Sequence, residues 1–235
     1  MSKGRQVPNI AAVGDATAPK TDKIRIVKIT CVSKTPYLMN PMTLEQLEGL
    51  RKRQRSQPRT DITQEQDAQR KVCTNPATGK YGFPADNLLA CLVNAGRKVK
   101  TGKMQLSTAK DSIVPSILEL EEEFLEFPPT CQEWKVDVKR GRNPKDGVAV
   151  CIVRPKFNRW GFQVTVRILD SEIHMETVRK LFEVAGTKAG LGDFRPTCRG
   201  RFGKFAVARW EALGEVEGEN VEALANELFG KEEVA

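Results

Sequence analysis

The sequence predicts an α+β fold, an antiparallel sheet of four strands carrying two helices, with two large insertions and a C-terminal helix. Two observations predict the core. Short segments place apolar residues at every second position, the pattern of half-buried strands. Two longer segments place them at helical spacing. A third observation, long polar or charge-rich stretches between these segments, predicts the insertions.

Residues 1–22 mix Gly, Pro, Ala, Lys and Asp without periodicity and read as a flexible N-terminal arm. Ile24 to Val32 (IRIVKITCV) is rich in β-branched residues and reads as the first strand. A Pro-broken loop, KTPYLMNPM, opens the first insertion, which spans about residues 39–80. There Leu44, Leu47 and Leu50 indicate a short helix, followed by the basic run RKRQRSQPR, and the stretch is expected to protrude. Tyr81-Gly82-Phe83-Pro84 then precedes a helix marked by Ala85, Leu88, Leu89, Leu92, Val93 and Gly96. Pro84 suits a first helical turn, where its missing N–H costs nothing. The second insertion, about residues 100–147, is partly acidic (ELEEEFLEF) and ends in the alternating Trp134, Val136, Val138 and the turn GRNPKDG.

Val148, Val150 and Ile152 alternate as a strand, and so do Phe162, Val164, Val166 and Ile168, with RPKFNRWG connecting the two. Asp170 or Ser171 is expected to cap a helix carrying Val178, Leu181, Phe182 and Ala185. A glycine-rich loop leads to a last strand, Phe205 to Trp210. Residues 211–235 read as an acidic tail with a short helix through Val221, Leu224, Ala225 and Leu228. Without the insertions the order is strand, helix, strand, strand, helix, strand, the ferredoxin-like (RRM-type) split βαβ arrangement, placed in one domain over residues 23–210. Many unrelated proteins share that order, so function is sought in the loops and on the open face of the sheet.

The chain has 235 residues, a net charge of +8, one histidine and six cysteines. Its length allows a sizeable core. No apolar run approaches the ~18 residues of a membrane span, and MSKGRQVPNI lacks the apolar core of a secretory signal. A cytoplasmic protein of a bacterium, or of a bacterial host of a virus, with no membrane partner is expected. The cysteines contain no CxxC, which fits a reducing compartment and signals no zinc site. Cys31, Cys91 and Cys151 lie in apolar segments and read as buried thiols. No metal and no cofactor are expected. Glu211 onward holds eight acidic residues and one basic, which leaves residues 1–210 at +15. A body this basic favours a polyanionic partner, most commonly nucleic acid.

The densest signal is Gly186 to Phe205, GTKAGLGDFRPTCRGRFGKF. Gly190, Gly192, Gly200 and Gly203 would let backbone N–H groups approach a phosphate. Lys188, Arg195, Arg199, Arg201 and Lys204 add phosphate contacts, and Phe194 and Phe202 would stack bases or anchor the loop in the core. The spacing matches neither GxxxxGKS nor GxGxxG at a strand-to-helix turn, which disfavours a nucleoside triphosphate site. Other cation clusters are Arg51, Lys52, Arg53, Arg55 and Arg59 in the first insertion, Arg97 and Lys98 after the first long helix, and Lys139, Arg140, Arg142 and Lys145 around a turn. RPKFNRWG interleaves Arg154, Lys156 and Arg159 with Phe157 and Trp160, a pattern suited to single strands, where stacking is worth about 1–3 kcal/mol per base.

A helix, then GLGDFRP…GRFGKF, then a final strand resembles the glycine-rich loop of the RAMP superfamily, the RNA-binding proteins of CRISPR effector complexes. KYGFPADNLLACLVNAGRKV is similar to the family's Pro-containing turn into its first helix, near the RNA, which extends RNA contact to Asn87. Viral RAMP-like relatives share the same order. The resemblance implies a non-catalytic subunit binding single-stranded RNA, a guide or a target, largely through its backbone. Partners would be further copies of itself and other effector subunits, with acidic segments docking on a neighbour's basic face. The departure is PADN, where the family has a serine-rich turn.

Two other readings stay open, a RAMP-type endoribonuclease and a virus-encoded coating protein for single-stranded nucleic acid. Asp61 and Asp67 lie where some relatives carry a cutting aspartate, and His174, Tyr37 and Tyr81 are candidate general bases, but no spacing unites them. Glu121, Glu122 and Glu123 are consecutive and would fan around a helix instead of converging on a metal.

Overall fold

The computed structural model describes residues 23–53, 61–142 and 147–217. In chain order its main elements are β1 (Lys23–Ser33), α1 (Leu44–Arg51), α2 (Ala85–Gly96), β2 (Leu118–Leu120), β3 (Lys135–Arg142), β4 (Ala149–Phe157), β5 (Gly161–Ile168), α3 (Met175–Val184) and β6 (Phe205–Glu217). The N-terminal arm, Arg55 and Arg59, and the C-terminal helix expected around Val221 to Leu228 lie outside the described residues.

The four-stranded sheet runs β6-β1-β5-β2, with every neighbouring pair antiparallel. Val27, Ile29 and Cys31 of β1 and Phe162, Val164, Val166 and Ile168 of β5 are buried on one face. They share one core with Leu88, Cys91, Leu92 and Ala95 of α2 and Val178, Leu181 and Phe182 of α3. Period 2 on the strands and period 3.6 on the helices thus meet in one layer. Apart from the aliphatic Ile26 and Val32, the opposite face of β1 and β5 carries Lys28, Thr30, Gln163, Thr165 and Arg167. These are polar, so this face offers no aromatic platform for stacked bases.

Two expectations about the sheet are corrected. The strand following residue 148 does not join it. β4 pairs instead with β3, and with Tyr37–Leu38, in a second, three-stranded sheet. The fourth strand of the main sheet is β2, three residues from within the expected second insertion. β2 covers β5 only at Val166, Arg167 and Ile168. Where it ends, Glu122 takes over, its carboxylate accepting from the Thr165 amide at 2.9 Å and the Thr165 hydroxyl at 2.8 Å. A carboxylate thereby satisfies edge groups that a longer strand would have paired.

The last strand runs past Trp210 to Glu217, so the first acidic residues of the expected tail pair with β1. Two register shifts interrupt that pairing, the kind of bulge that adds twist to a long edge strand. Asp170 does not cap α3. It accepts from the Glu172 amide in a turn at 2.8 Å, and α3 begins only after His174. The two sheets are joined by an aromatic cluster. Tyr37 and Trp160 have ring centroids 5.0 Å apart, and Phe127 and Phe157 5.1 Å apart, in edge-on contact. Among the described residues no helix is long and apolar enough to cross a membrane.

Candidate nucleic-acid interface

α3 ends in a π-helical turn, Ala185–Ala189, and the chain then folds back upon residues 35–38 before entering β6. The Gly203 amide donates to the Pro36 carbonyl at 2.8 Å, and the Asp193 amide to the Leu38 carbonyl at 2.8 Å. Such close approach requires glycine. Gly203 has φ +70°, and a Cβ there would overlap the Leu191 carbonyl oxygen. Gly192 has φ +74°, and a Cβ there would press on the Leu38 carbonyl and the Tyr37 ring.

Between this loop, α2 and residues 37–41 lies a groove of about 370 Å³. Asn87 and Asn94 of α2 line one wall, Asn40 the rim, and Asp193 and Arg195 the loop side. Asn87, Cys91 and Asn94 are spaced by four and three residues, so they follow one face of the helix. The expected Asn87 and the glycine-rich loop are therefore brought together, while Arg97 and Lys98 are exposed just past the helix end and do not line the groove. The Cys91 thiol donates to the Gly190 carbonyl at 3.2 Å and ties helix to loop. Burial pushes that thiol up to about 12, so it stays protonated as a tie.

The loop's amides are mostly in use. Gly190 donates to Ala185, Leu191 to Gly203, Gly200 to Arg195, Phe202 to Phe194, and Lys204 to the Thr35 hydroxyl. Among the described residues the Gly192 amide has no such partner. The expectation that Gly190, Gly200 and Gly203 offer N–H groups to a phosphate is corrected, because those donors are already satisfied within the chain. Anion contact falls to the side chains. Lys188, Arg199 and Arg201 are exposed, while Arg195 and Lys204 are half-buried. Arg195 spends one N–H on the Gly192 carbonyl at 2.8 Å, which holds its guanidinium at the groove.

Phe202 is buried and lies between two cations, Lys139 Nζ at 4.6 Å and the Arg201 guanidinium at 5.3 Å from its ring centre. It anchors the loop against β3. Phe194 is 41% exposed and leaves a ring edge for a base. Lys139 joins the interface only through this tertiary contact, since in the sequence it reads as part of a basic turn.

Two expected contact residues turn inward. Arg154 is 4% exposed and bridges Asp137 at 3.1 Å and Asp193 at 2.8 Å. Trp160 is 2% exposed, and its indole N–H donates to the Thr35 carbonyl at 2.7 Å. A guanidinium locked between two carboxylates and an indole in the core have nothing to offer a strand. Among the cations of that segment Arg159 alone is exposed, at the turn beside Asn158. Backbone bonds place it beside Lys34 and Lys204, since Trp160 is bonded to Ser33 and Lys204 to Lys34. Lys34 is thus a second residue that sequence reasoning missed. Arg51 and Arg53 are exposed at the end of α1.

The candidate bases do not converge. Tyr37 is buried in the aromatic cluster, and burial raises its hydroxyl well above the usual range. Tyr81 packs edge-on against Phe157. His174 lies at the far end of α3, about 15 Å of helix away from the loop. Asp67 is paired with Lys71 at 3.2 Å. Among the described residues no three metal-ligating side chains gather into a group.

Fold and groove define an α+β protein of antiparallel sheets with a cation-flanked cleft between a helix and a glycine-rich loop. No family model and no curated protein matches the sequence. Among solved structures, a chain of the type III-B Cmr-β complex bound to cognate target RNA, determined by cryo-electron microscopy, is similar in fold. The TM-score is 0.50 at 10% identity, over 82% of this chain and 61% of that one. This chain thus spans less than two thirds of its neighbour's length, and the likeness is one of fold.

Proposed function

We propose that this protein is a RAMP-like subunit that binds single-stranded RNA, guide or target, through backbone contacts on a ferredoxin-like frame. The observation that carries the reading is the groove. It sets Asn87 and Asn94 opposite the glycine-rich loop, with Lys188, Arg199 and Arg201 exposed on the loop and Arg97 and Lys98 at the helix end. The strand order β6-β1-β5-β2, with chain order β1-α2-β2-β5-α3-β6, supports the ferredoxin-like assignment. The fold similarity to a chain from an RNA-bound Cmr-β complex supports the RNA and effector-complex context. Asparagine amides and long cations suit sugar and phosphate, and few groups in the groove are placed to read base edges. In this reading several copies follow one strand in the cytoplasm beside other effector subunits.

The test is binding to single-stranded RNA over a salt series. Changing Arg195, Arg199 and Arg201 together to alanine is expected to weaken binding and to lower the salt slope by about 0.7 for each phosphate that is no longer neutralised. Matched DNA competing poorly would show that the 2′-hydroxyl is read. Binding with an unchanged slope would move the phosphate site elsewhere, and no affinity for any single strand would end the reading.

A further inference from the structure

A buried tyrosine hydroxyl usually finds a hydrogen-bond partner, because leaving it unmade is costly. Tyr37 is 3% exposed, and its ring is fixed by stacking on Phe83 at 5.7 Å and by edge contacts to Phe127 and Trp160. Its hydroxyl has no hydrogen-bond partner among the described residues. Tyr37 lines the asparagine groove, and the hydroxyl is not sealed in the interior, so it reaches the groove.

The few groups placed to read a base edge gather at this point. Gly192 lies against the same end of the ring, where a Cβ would stand 3.0 Å from Cε2 and from Cζ, the carbon that carries the hydroxyl. The Gly192 amide is likewise without a partner among the described residues. Arg195, tied to the Gly192 carbonyl at 2.8 Å, is the third donor. Burial raises the Tyr37 hydroxyl and the Cys91 thiol, and the Arg195 charge pulls both back, so the guanidinium stands beside them. Acceptors lie on the walls. Asn94 spends its amide N–H on the Ala90 carbonyl at 2.9 Å, which leaves its oxygen. Asp193 adds a carboxylate on the loop side. Met39, Pro41 and Pro84 supply apolar surface between them. A volume of about 370 Å³ is small for a ligand pocket and suits one nucleoside, not a length of strand.

We propose that this groove takes one guanine base of the bound strand, with O6 and N7 on the Tyr37 hydroxyl, the Gly192 amide and Arg195, and the N2 amino group toward Asn94. Of the four bases only guanine sets two acceptors side by side, and arginine on that pair is the commonest specific contact to a base. Adenine and cytosine would bring an amino donor against these donors, and uracil offers O4 alone. A phosphate on the same donors would set its charge beside the Asp193 carboxylate, whereas a base carries none. An unpaired strand yields a base to a pocket at the least cost. The proposal rests on the RNA reading and deepens it: one position is read, while the rest of the strand is held by its backbone.

The experiment is fluorescence anisotropy at one salt concentration. The strands are oligouridine and the same strand with a single central guanosine, adenosine or 7-deazaguanosine. The guanosine strand should bind roughly tenfold tighter than the uridine and adenosine strands. 7-Deazaguanosine has a carbon in place of N7 and should lose most of that gain. Tyr37→Phe keeps the ring in its aromatic contacts, so the chain should melt as the wild type does while the guanosine preference falls several-fold. Equal affinity for every strand overturns the proposal and leaves the RNA reading standing. So does an adenosine strand that matches the guanosine strand, a 7-deazaguanosine strand bound as tightly, or a folded Tyr37→Phe chain with the wild-type preference. If Tyr37→Phe does not fold, the 7-deazaguanosine strand decides on the wild-type chain alone. No affinity for any strand ends the RNA reading and the guanine site with it.

Discussion

Replacing Arg154 by methionine removes the cation between Asp137 and Asp193 and keeps much of the side-chain volume. The arginine side chain is 5% exposed and Asp137 10%, so the aspartate would keep only Lys139 Nζ at 3.5 Å, with little water to take the guanidinium's place. Leaving a buried charge wholly unpaired costs about 3–5 kcal/mol, and with Lys139 still at Asp137 the loss should fall toward the lower end of that range. Asp193, 33% exposed, can rehydrate and adds little. Against a total stability of about 5–15 kcal/mol, this is a large fraction. It is read as a drop in the urea midpoint at constant slope. Adding Asp137→Leu to Arg154→Met should recover most of the loss, since an apolar pair of similar volume is often as stable as an ion pair. Because Asp193 would lose its tether to β4, amide exchange in residues 193–203 should also quicken. The result that refutes the reasoning is a single variant of wild-type stability whose RNA affinity has fallen. Arg154 would then be a strand contact, as its sequence neighbourhood indicates.

Gly203→Ala should cost at least about 1–3 kcal/mol by thermal unfolding, since φ is +70° and the added carbon meets the Leu191 carbonyl; an unchanged melt would show the loop adjusts freely. Phe194→Ala should weaken RNA binding by about 1–3 kcal/mol, the worth of one stacked base, with stability unmoved; equal affinity would remove Phe194 from the interface. Glu126 is held below the ordinary glutamate range chiefly by the Thr78 hydroxyl and then by Lys80. A folded value below the unfolded one stabilises the chain above the ordinary range, and that contribution is lost as pH falls from about 5 through the lowered value. Glu126→Gln should therefore flatten the acid limb of stability, measured as urea midpoints at neutral and acidic pH, and an identical limb would refute the assignment.

Much of the frame was legible in the sequence. IRIVKITCV, the apolar stripe from Ala85 to Gly96 and the alternation from Phe162 to Ile168 all appear where their patterns place them. Each pattern is written by residues a few positions apart that share one face, so it survives without knowledge of the rest of the chain. The glycine and arginine density of residues 186–205 was legible for the same reason.

Partner choice was not. β2 is three residues long and leaves no periodic signal, while the clearer alternation of β4 belongs to a different sheet. Strand pairing depends on which edge the folded chain presents, and that is a non-local property. The direction of single side chains was hidden too. In RPKFNRWG, Arg154 and Trp160 have the composition of a strand-binding hairpin. Asp193 lies 39 residues from Arg154, and Thr35 lies 125 residues from Trp160. Once the fold supplies those acceptors, the two terminal nitrogens of the guanidinium and the indole N–H are paired in the interior, and Arg154 Nε is left without a partner among the described residues. The sequence by itself determined the basic body, the amphipathic segments and the glycine-rich loop, all set by near neighbours. Only the tertiary structure decided which cations face solvent, because a buried charge needs a partner and that partner lies far along the chain.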